Sequence, residues 1–517
     1  MKEKASGKQM SINLIASIIA FGVNVGINFF LTPFLVKELG EEAYGFIGLA
    51  NNFVQYATII TAALNSISGR FISIEYHKGR KEKAESYFNS VLVANLTIAA
   101  VMLALSALFT LFLDSIINVP EHLISSVKIT FALTFLTYIV SVVTAIFTTA
   151  AFVKNRVDIN SVRDIISNLI KVAAVVGLFA LFPAKLYFLA LATLCSGMFL
   201  LLANITVKKK ILPEIEINIR KFSFKLVKVI LASGIWMSFS MLCNALMTGL
   251  DLLICNLTLG AGMMGILSIA KTVPVCIGNL ITTLGNVFTP HYTILYAKKN
   301  INGLVSEVKF TSKLVSLIMT VPLAGFMALG RQFYTLWQPT KGPDEIIMIQ
   351  ILSVLTCLMF IFSCHTQCLM MLYTVCNKLK MPVFVNLGIG IVSTVSVILV
   401  LNFGNLGNNG VYVIAGVSSL LMSIRAITFM PVYSAYILKR KWTTFYGPIV
   451  RGWLCFAVVF AAFILSAMLI NINSWVKLIA VCAVVGGLCY VISIPVLFSR
   501  SEFKRLSAKL VKKFKKS

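Results

Sequence analysis

The sequence predicts an all-α, polytopic membrane protein with fourteen transmembrane helices, and three observations carry that prediction. Of 517 residues, 58% are apolar and only 12% are charged, with a mean hydropathy of +0.91, whereas soluble domains run about 45–50% apolar and about 25% charged. The apolar residues fall in nearly continuous runs that suit bilayer-spanning helices of about 20 residues. They do not show the short alternating segments of a β-barrel. Fourteen such runs leave only short connections and tails, so a sizeable soluble domain is excluded.

The runs are bounded by charges or by Gly, Pro and Asn. In order they cover residues 11–36, 43–68, 88–113, 122–153, 163–182, 185–206 and 228–256, then 259–288, 312–337, 345–375, 382–403, 410–437, 449–471 and 474–498. An even number puts both termini on one side. The loops test this: the side of the termini carries 36 Lys and Arg, while the other carries Lys37, Lys185, Arg331, Lys341 and Lys477 beside acids such as Glu41, Glu42, Asp114 and Glu121. The positive-inside bias then makes both N- and C-termini cytoplasmic.

The net charge of +27 would suggest nucleic acid on a soluble chain. Here the cations sit in tails and alternate loops, so no nucleic-acid partner is expected. All eleven Cys lie in apolar segments with no CxxC pair and read as small packing residues. The basic stretch Met1 to Lys8 precedes a run too long for a signal sequence, which makes it an uncleaved first helix. After Ser499, Phe503, Leu506, Leu510 and Phe514 recur at helical spacing among eight cations. That tail either lies on anionic membrane lipids or serves only to fix topology.

An internal repeat divides the chain. Leu39-Gly40-x4-Gly45 with Ala50 recurs as Leu259-Gly260-x4-Gly265 with Ala270, an offset of 220, and Asn24 and Asn28 fall on Asn244 and Thr248. Asn155-Arg156-Val157-Asp158 answers Asn377-Lys378-Leu379-Lys380, and Thr110-Leu111-Phe112 answers Thr335-Leu336-Trp337. Six helices separate equivalent positions, so equivalent spans cross in the same direction and two six-helix lobes relate by a pseudo-two-fold along the membrane normal. The expected organisation is an N-lobe over 1–206, a linker over 207–227, a C-lobe over 228–437, two appended helices over 438–498 and a basic tail over 499–517.

Polar side chains within spans are costly unless they face protein or water. Span 1 carries Asn13, Ser17, Asn24 and Asn28 on one face; span 2 carries Asn51, Gln55, Thr58 and Asn65; span 7 carries Ser240, Asn244, Thr248 and Asp251. Span 8 carries Lys271, Gly278 and Thr282. A single Asn or Thr is explained by an interhelical hydrogen bond, whereas four stripes on repeat-related spans favour a shared wet surface. Four cations also lie within spans: Lys128, Lys171, Lys271 and Arg425. Lys128 lies near an outer end and can snorkel. Lys271 begins about 18 Å into its span at 1.5 Å per residue, beyond easy snorkelling, and is the leading candidate for holding a diphosphate. Arg425 and, with less weight, Lys171 are further candidates. Asp251 is a candidate coupling-ion or sugar ligand. His365 is a candidate proton relay, although a hydrogen-bonded interfacial histidine is the simpler account. No metal cluster, nucleotide loop or nucleophile elbow is present, so no cofactor is expected and ATP is not the direct energy source.

The Leu-Gly-x4-Gly turn, the Asn-Arg-Val-Asp and Asn-Lys-Leu-Lys segments, the Gly330-Arg331-Gln332-Phe333-Tyr334-Thr335-Leu336-Trp337 end of span 9 and the fourteen spans resemble the Wzx-type O-antigen and polysaccharide flippases of the multidrug/oligosaccharidyl-lipid/polysaccharide exporter superfamily. The resemblance covers nearly the whole chain. It implies two lobes around a central cavity lined by spans 1, 2, 7 and 8, in a bacterial or archaeal cytoplasmic membrane. It implies movement of a polyprenyl-diphosphate-linked oligosaccharide to the outer leaflet, coupled to a proton or sodium gradient. The rivals are a multidrug or metabolite cation antiporter, against which Lys271 and Arg425 argue, a membrane glycan polymerase or ligase, against which the short outer loops argue, and a scaffold for glycan-assembly proteins.

Overall fold

The computed structural model describes residues 2–499 and Glu502. The side chains of Asn13 and Ser17, and the tail residues Phe503, Leu506, Leu510 and Phe514, lie outside the described residues. Among the described residues there is no strand. The long helices are α1 Lys2–Leu39, α2 Glu41–His77, α3 Lys81–Leu111, α4 Ile124–Val153, α5 Val157–Leu181, α6 Tyr187–Ile211 and α7 Phe224–Asn244. They continue with α8 Asp251–Asn286, α9 Ile301–Trp337, α10 Pro343–Val375, α11 Lys380–Phe403, α12 Gly410–Ile427, α13 Tyr446–Leu469 and α14 Trp475–Leu497.

Thirteen segments among the described residues are long and apolar enough to cross a membrane, and one of them, Phe224–Ala297, runs 74 residues. At 1.5 Å per residue that segment would extend roughly 110 Å, far beyond a hydrocarbon core of about 30 Å. It therefore supplies two crossings, one before and one after a break that falls inside α8. The break is Gly260, with φ 86° and ψ 177°. Its repeat partner Gly40 has φ 82° and ψ 164° and separates α1 from α2. Only glycine adopts this conformation without a steric penalty, which is why the motif keeps it twice. Gly45 and Gly265 also meet: a Cβ on Gly45 would lie 2.9 Å from the Gly265 Cα.

The helix-ending turns repeat as well. Asn155 (φ 55°) and Asn377 (φ 53°) are both left-handed, as are Gly79 (φ 79°) and Lys299 (φ 55°), each pair separated by about the offset of the repeat. Each terminates a helix with backbone bonds back into its last turn, as in Arg156 N–H to the Ala151 carbonyl (2.8 Å) and Lys378 N–H to the Tyr373 carbonyl (2.8 Å).

The chain forms two compact units, Met1–Ser268 and Ile269–Ser517. In the first, α4 packs on α2, α3 and α6, α5 lies between α1 and α6, and α7 runs along α2. Its core gathers Phe88, Val91, Ile146, Phe147, Ala150 and Ile230. The linker after α6 is pinned to this unit: the buried Asn89 donates to the Glu216 carbonyl (2.9 Å) and accepts from the Asn218 N–H (2.8 Å), and Ser90 accepts from the Ser223 N–H (2.9 Å). In the second unit α10 packs on α9 and α12, α12 on α11, and α9 on α13 and α14, around Phe310, Leu323, Phe360, Phe456 and Phe463. The chain α3–α4–α6–α5 thus has the same adjacency as α9–α10–α12–α11, six helices apart. All eleven cysteines are free thiols.

Candidate functional site

Helices α1, α2, α4, α5 and α6 of the first unit surround a cavity of about 320 Å³. Its α4 wall follows from spacing. Thr130, Thr134, Thr137 and Ser141 recur at steps of 4, 3 and 4 and therefore share one helical face. These hydroxyls sit in a helix at low cost because each donates to a carbonyl one turn back: Thr134 to Thr130 (2.7 Å), Thr137 to Leu133 (2.8 Å) and Ser141 to Tyr138 (2.7 Å). Thr193 on α6 does the same to Leu189 (2.7 Å). Asn28 and Thr32 on α1, Tyr44 and Asn51 on α2 and Lys171 on α5 complete the polar lining.

Lys171 is the cation of this lining. It lies fourteen residues into α5, about 21 Å from that end, hence near mid-depth. Among the described residues its ammonium makes no ion pair or hydrogen bond. The cavity has room for about ten waters at about 30 Å³ each, and its lining mixes these polar groups with Leu31, Leu35, Ile47, Val54 and Leu189.

Two further residues of the first polar stripe belong beside this site. Asn28 donates to Asn24 (3.1 Å), and Asn24 donates to Asn168 on α5 (3.4 Å), a chain of amides that ties α1 to the helix bearing Lys171. Gln55 on α2 and Asn244 on α7 are exposed. Thr248 is half-buried and donates to the Asn244 carbonyl (3.3 Å). Asp251 is buried at the start of α8. Asn65, counted in the second stripe, accepts from Asn95 on α3 (3.0 Å), an interhelical bond.

The second unit holds the remaining candidates. Lys271 is half-buried in α8 and engaged in polar contact. Arg425, 8% exposed, donates to Asn386 on α11 and ties α12 to it. His365, 1% exposed, pairs through Nδ1 with Ser316 Oγ (2.6 Å), and its ring lies so close to Gly452 that no side chain fits there. Lys128, outside the candidate set, pairs with Asp114 (2.8 Å) at the loop after α3.

Sequence reasoning did not single out the Thr134, Thr137, Ser141 and Thr193 wall, although its α4 part has the same helical spacing as the asparagine stripes. It also missed a polar seam between α2 and α7. There Ser238 Oγ donates to the Ile59 carbonyl (2.6 Å) and accepts from the Ala63 N–H (3.0 Å), the two groups of one helical rung. In return Asn52 (3.0 Å) and Tyr56 (2.5 Å) donate to the carbonyl of Gly249, in the π-helical turn Ala245–Gly249 that follows α7. Gly234 sits against the Ala63 backbone with no room for a side chain. Each helix thus supplies the polar partner at the other's irregular turn.

Comparison with known proteins places this architecture. The family described as "Polysaccharide biosynthesis protein" matches residues 11–293. The uncharacterized membrane protein EpsK of Bacillus subtilis (strain 168) is 30% identical over 511 residues, which cover 98% of this chain and 99% of that one. Among solved structures, the lipid II flippase MurJ in an inward closed conformation is similar with a TM-score of 0.64 at 14% identity, covering 93% of this chain and 97% of its own. An inward-facing multidrug resistance MATE family transporter of the MOP superfamily has a TM-score of 0.64 at 14% identity over 84% of this chain and 99% of its own. A MOP superfamily transporter from Pyrococcus furiosus has a TM-score of 0.62 at 14% identity over 84% and 97%. These likenesses give the fold, that of the MOP superfamily transporters, and the sequence matches give the membership. This multi-pass membrane protein belongs to the polysaccharide biosynthesis protein family.

Proposed function

We propose that the chain is a secondary transporter that flips a polyprenyl-diphosphate-linked, anionic oligosaccharide from the cytoplasmic to the outer leaflet by alternating access. The observation that carries this reading is Lys171, which lines the cavity of the first unit with no ion-pair or hydrogen-bond partner among the described residues. A cation at mid-depth of a membrane helix costs about 2.5–3.5 kcal/mol on insertion scales. Among the described residues no carboxylate pairs with Lys171, and an anionic cargo would offset that cost. A cationic drug would be repelled by the same ammonium.

The amides of Asn24, Asn28 and Asn51 give the head group further partners, while the polyprenyl tail remains among the membrane lipids. Lys271 serves as a second cation on the cargo's path, and Asp251 as a ligand for a coupling proton or sodium ion. Family membership supports a glycan cargo, and the shared fold of a lipid II flippase supports a lipid-linked one. The excess of cations on the loops that flank the termini orients both termini to the cytoplasm.

The test is translocation of a polyprenyl-diphosphate-linked oligosaccharide in proteoliposomes, read as loss of access to a membrane-impermeant oxidant. Wild-type protein should transport. Lys171→Met should lower the rate about 10–100-fold, which is the loss of one charge-assisted hydrogen bond of about 1.5–3 kcal/mol. Wild-type transport by that variant at normal protein content refutes the role of the cavity.

A further inference from the structure

We infer that the cavity reads its cargo by hydrogen-bond polarity, and that it takes one donor-rich sugar ring bearing a single anionic group, as a uronic acid does. This rests on the reading of the cavity as the cargo site and deepens it.

A hydroxyl has one proton to give and two lone pairs to offer. Thr134, Thr137, Ser141 and Thr193 each give the proton to a backbone carbonyl. A carbonyl only accepts, so the direction of these four bonds is fixed. The Tyr138 hydroxyl is engaged as well, sharing a 2.9 Å bond with the Thr61 hydroxyl in which either can donate. The threonine and serine hydroxyls of the α4 and α6 wall therefore present lone pairs to the cavity.

The donors stand on the other helices: the ammonium of Lys171 and the amides of Asn28 and Asn51. One of the Asn28 N–H groups is already spent on Asn24. A phosphate or sulfate, carrying acceptor oxygens on every side, would satisfy Lys171 and set its remaining oxygens against lone pairs. A sugar ring with one carboxylate matches both walls, with its anion at Lys171 and its hydroxyl or amide protons toward the threonines. The volume of about 320 Å³ lies at the small end of ligand pockets, about 300–1,000 Å³, and suits one ring rather than a whole oligosaccharide.

The experiment uses the full-length chain in phosphatidylcholine nanodiscs, with glucuronate, glucose and acetate as probes and ligand-observed saturation-transfer NMR as readout. Glucuronate should bind at least ten-fold more tightly than glucose, and acetate more weakly than either. Lys171→Met should bring glucuronate down to the level of glucose. Thr134→Val with Thr137→Val should weaken both sugars together at least five-fold, whereas Thr134→Ser with Thr137→Ser, which keeps the lone pairs, should bind like the wild type. Acetate binding as tightly as glucuronate, equimolar sulfate displacing glucuronate, or unchanged sugar binding by the valine pair overturns the inference. So does displacement of glucuronate when phosphatidylglycerol is added, since the cavity would then hold a lipid headgroup. A failure of the underlying reading shows separately: it leaves transport of the lipid-linked glycan independent of Lys171, whatever the three probes do.

Discussion

The two units share one helix adjacency and use it in opposite ways. In the first, the polar faces of α4 and α6 line a cavity. In the second, the corresponding helices α10 and α12 spend their polar groups on protein. Ser353 on α10 donates to the Ala270 carbonyl (2.8 Å) and bonds the Tyr334 hydroxyl (2.7 Å), Ser419 on α12 donates to the Thr356 carbonyl (3.1 Å), and Arg425 on α12 is held by Asn386. A repeat therefore fixes which helices touch, while side chains decide whether the polar groups between them line a cavity or bond to protein. Among the described residues Lys171 lacks an ion-pair or hydrogen-bond partner, whereas Arg425 has Asn386. The first is expected to matter for transport and the second for stability.

The largest expected effect comes from filling the cavity of the first unit. Ser141→Phe places a ring in the cavity and should abolish transport without lowering the melting temperature, because the added apolar volume enters existing space rather than a packed core. A fall in melting temperature with transport retained would show that the space is not the cargo route. Next in size is Arg425→Met, which strands the Asn386 side chain and should cost about 1–3 kcal/mol, or about 2–4 °C of melting temperature per kcal/mol, while the surviving folded protein transports at the wild-type rate. Lost transport at unchanged stability would give the second unit a cargo role of its own.

The smallest effect belongs to the pinned linker of the first unit. Glu214, which pairs with Lys154 (3.5 Å) and accepts from Tyr76 (2.9 Å), has its carboxyl held below the usual range, first by its own backbone N–H and then by Tyr76 and Lys154. A depressed carboxyl pKa adds stability above the unfolded value of about 4.3, and that stability is lost as pH falls through the folded value. This pair is well exposed, so Glu214→Gln should cost only a few tenths of a kcal/mol near pH 7 and nothing below about pH 3. Melting curves at the two pH values check this, and a pH-independent difference would exclude the ionic contribution.

Much of the fold was legible because a bilayer demands long apolar runs and because a positive-φ turn favours glycine or asparagine: Gly40, Gly260, Asn155 and Asn377 all occupy such turns. The pairing of Gly79 with Lys299 was hidden, since the backbone conformation is kept while the residue type is not. The site was legible in part. From the sequence the span starts at residue 163, which leaves Lys171 only eight residues, about 12 Å, from its inner end. In the structure α5 starts at Val157, and Arg163 is buried, donating to Asn204 (2.6 Å) and to Asn160, which carries Lys171 deeper. The threonine wall went unnoticed because threonine is common in apolar β-branched runs, and only the packing of α4 on α6 shows that its hydroxyls surround space.

The most direct test of the cavity's role leaves the protein unaltered. A polyprenyl-diphosphate-linked oligosaccharide bearing a diazirine on its first sugar is irradiated during transport in proteoliposomes, and the adducts are mapped by mass spectrometry. The account predicts adducts on the cavity faces of α4, α5 and α6, around Thr137, Lys171 and Thr193. Transport that proceeds with every adduct elsewhere in the chain contradicts it.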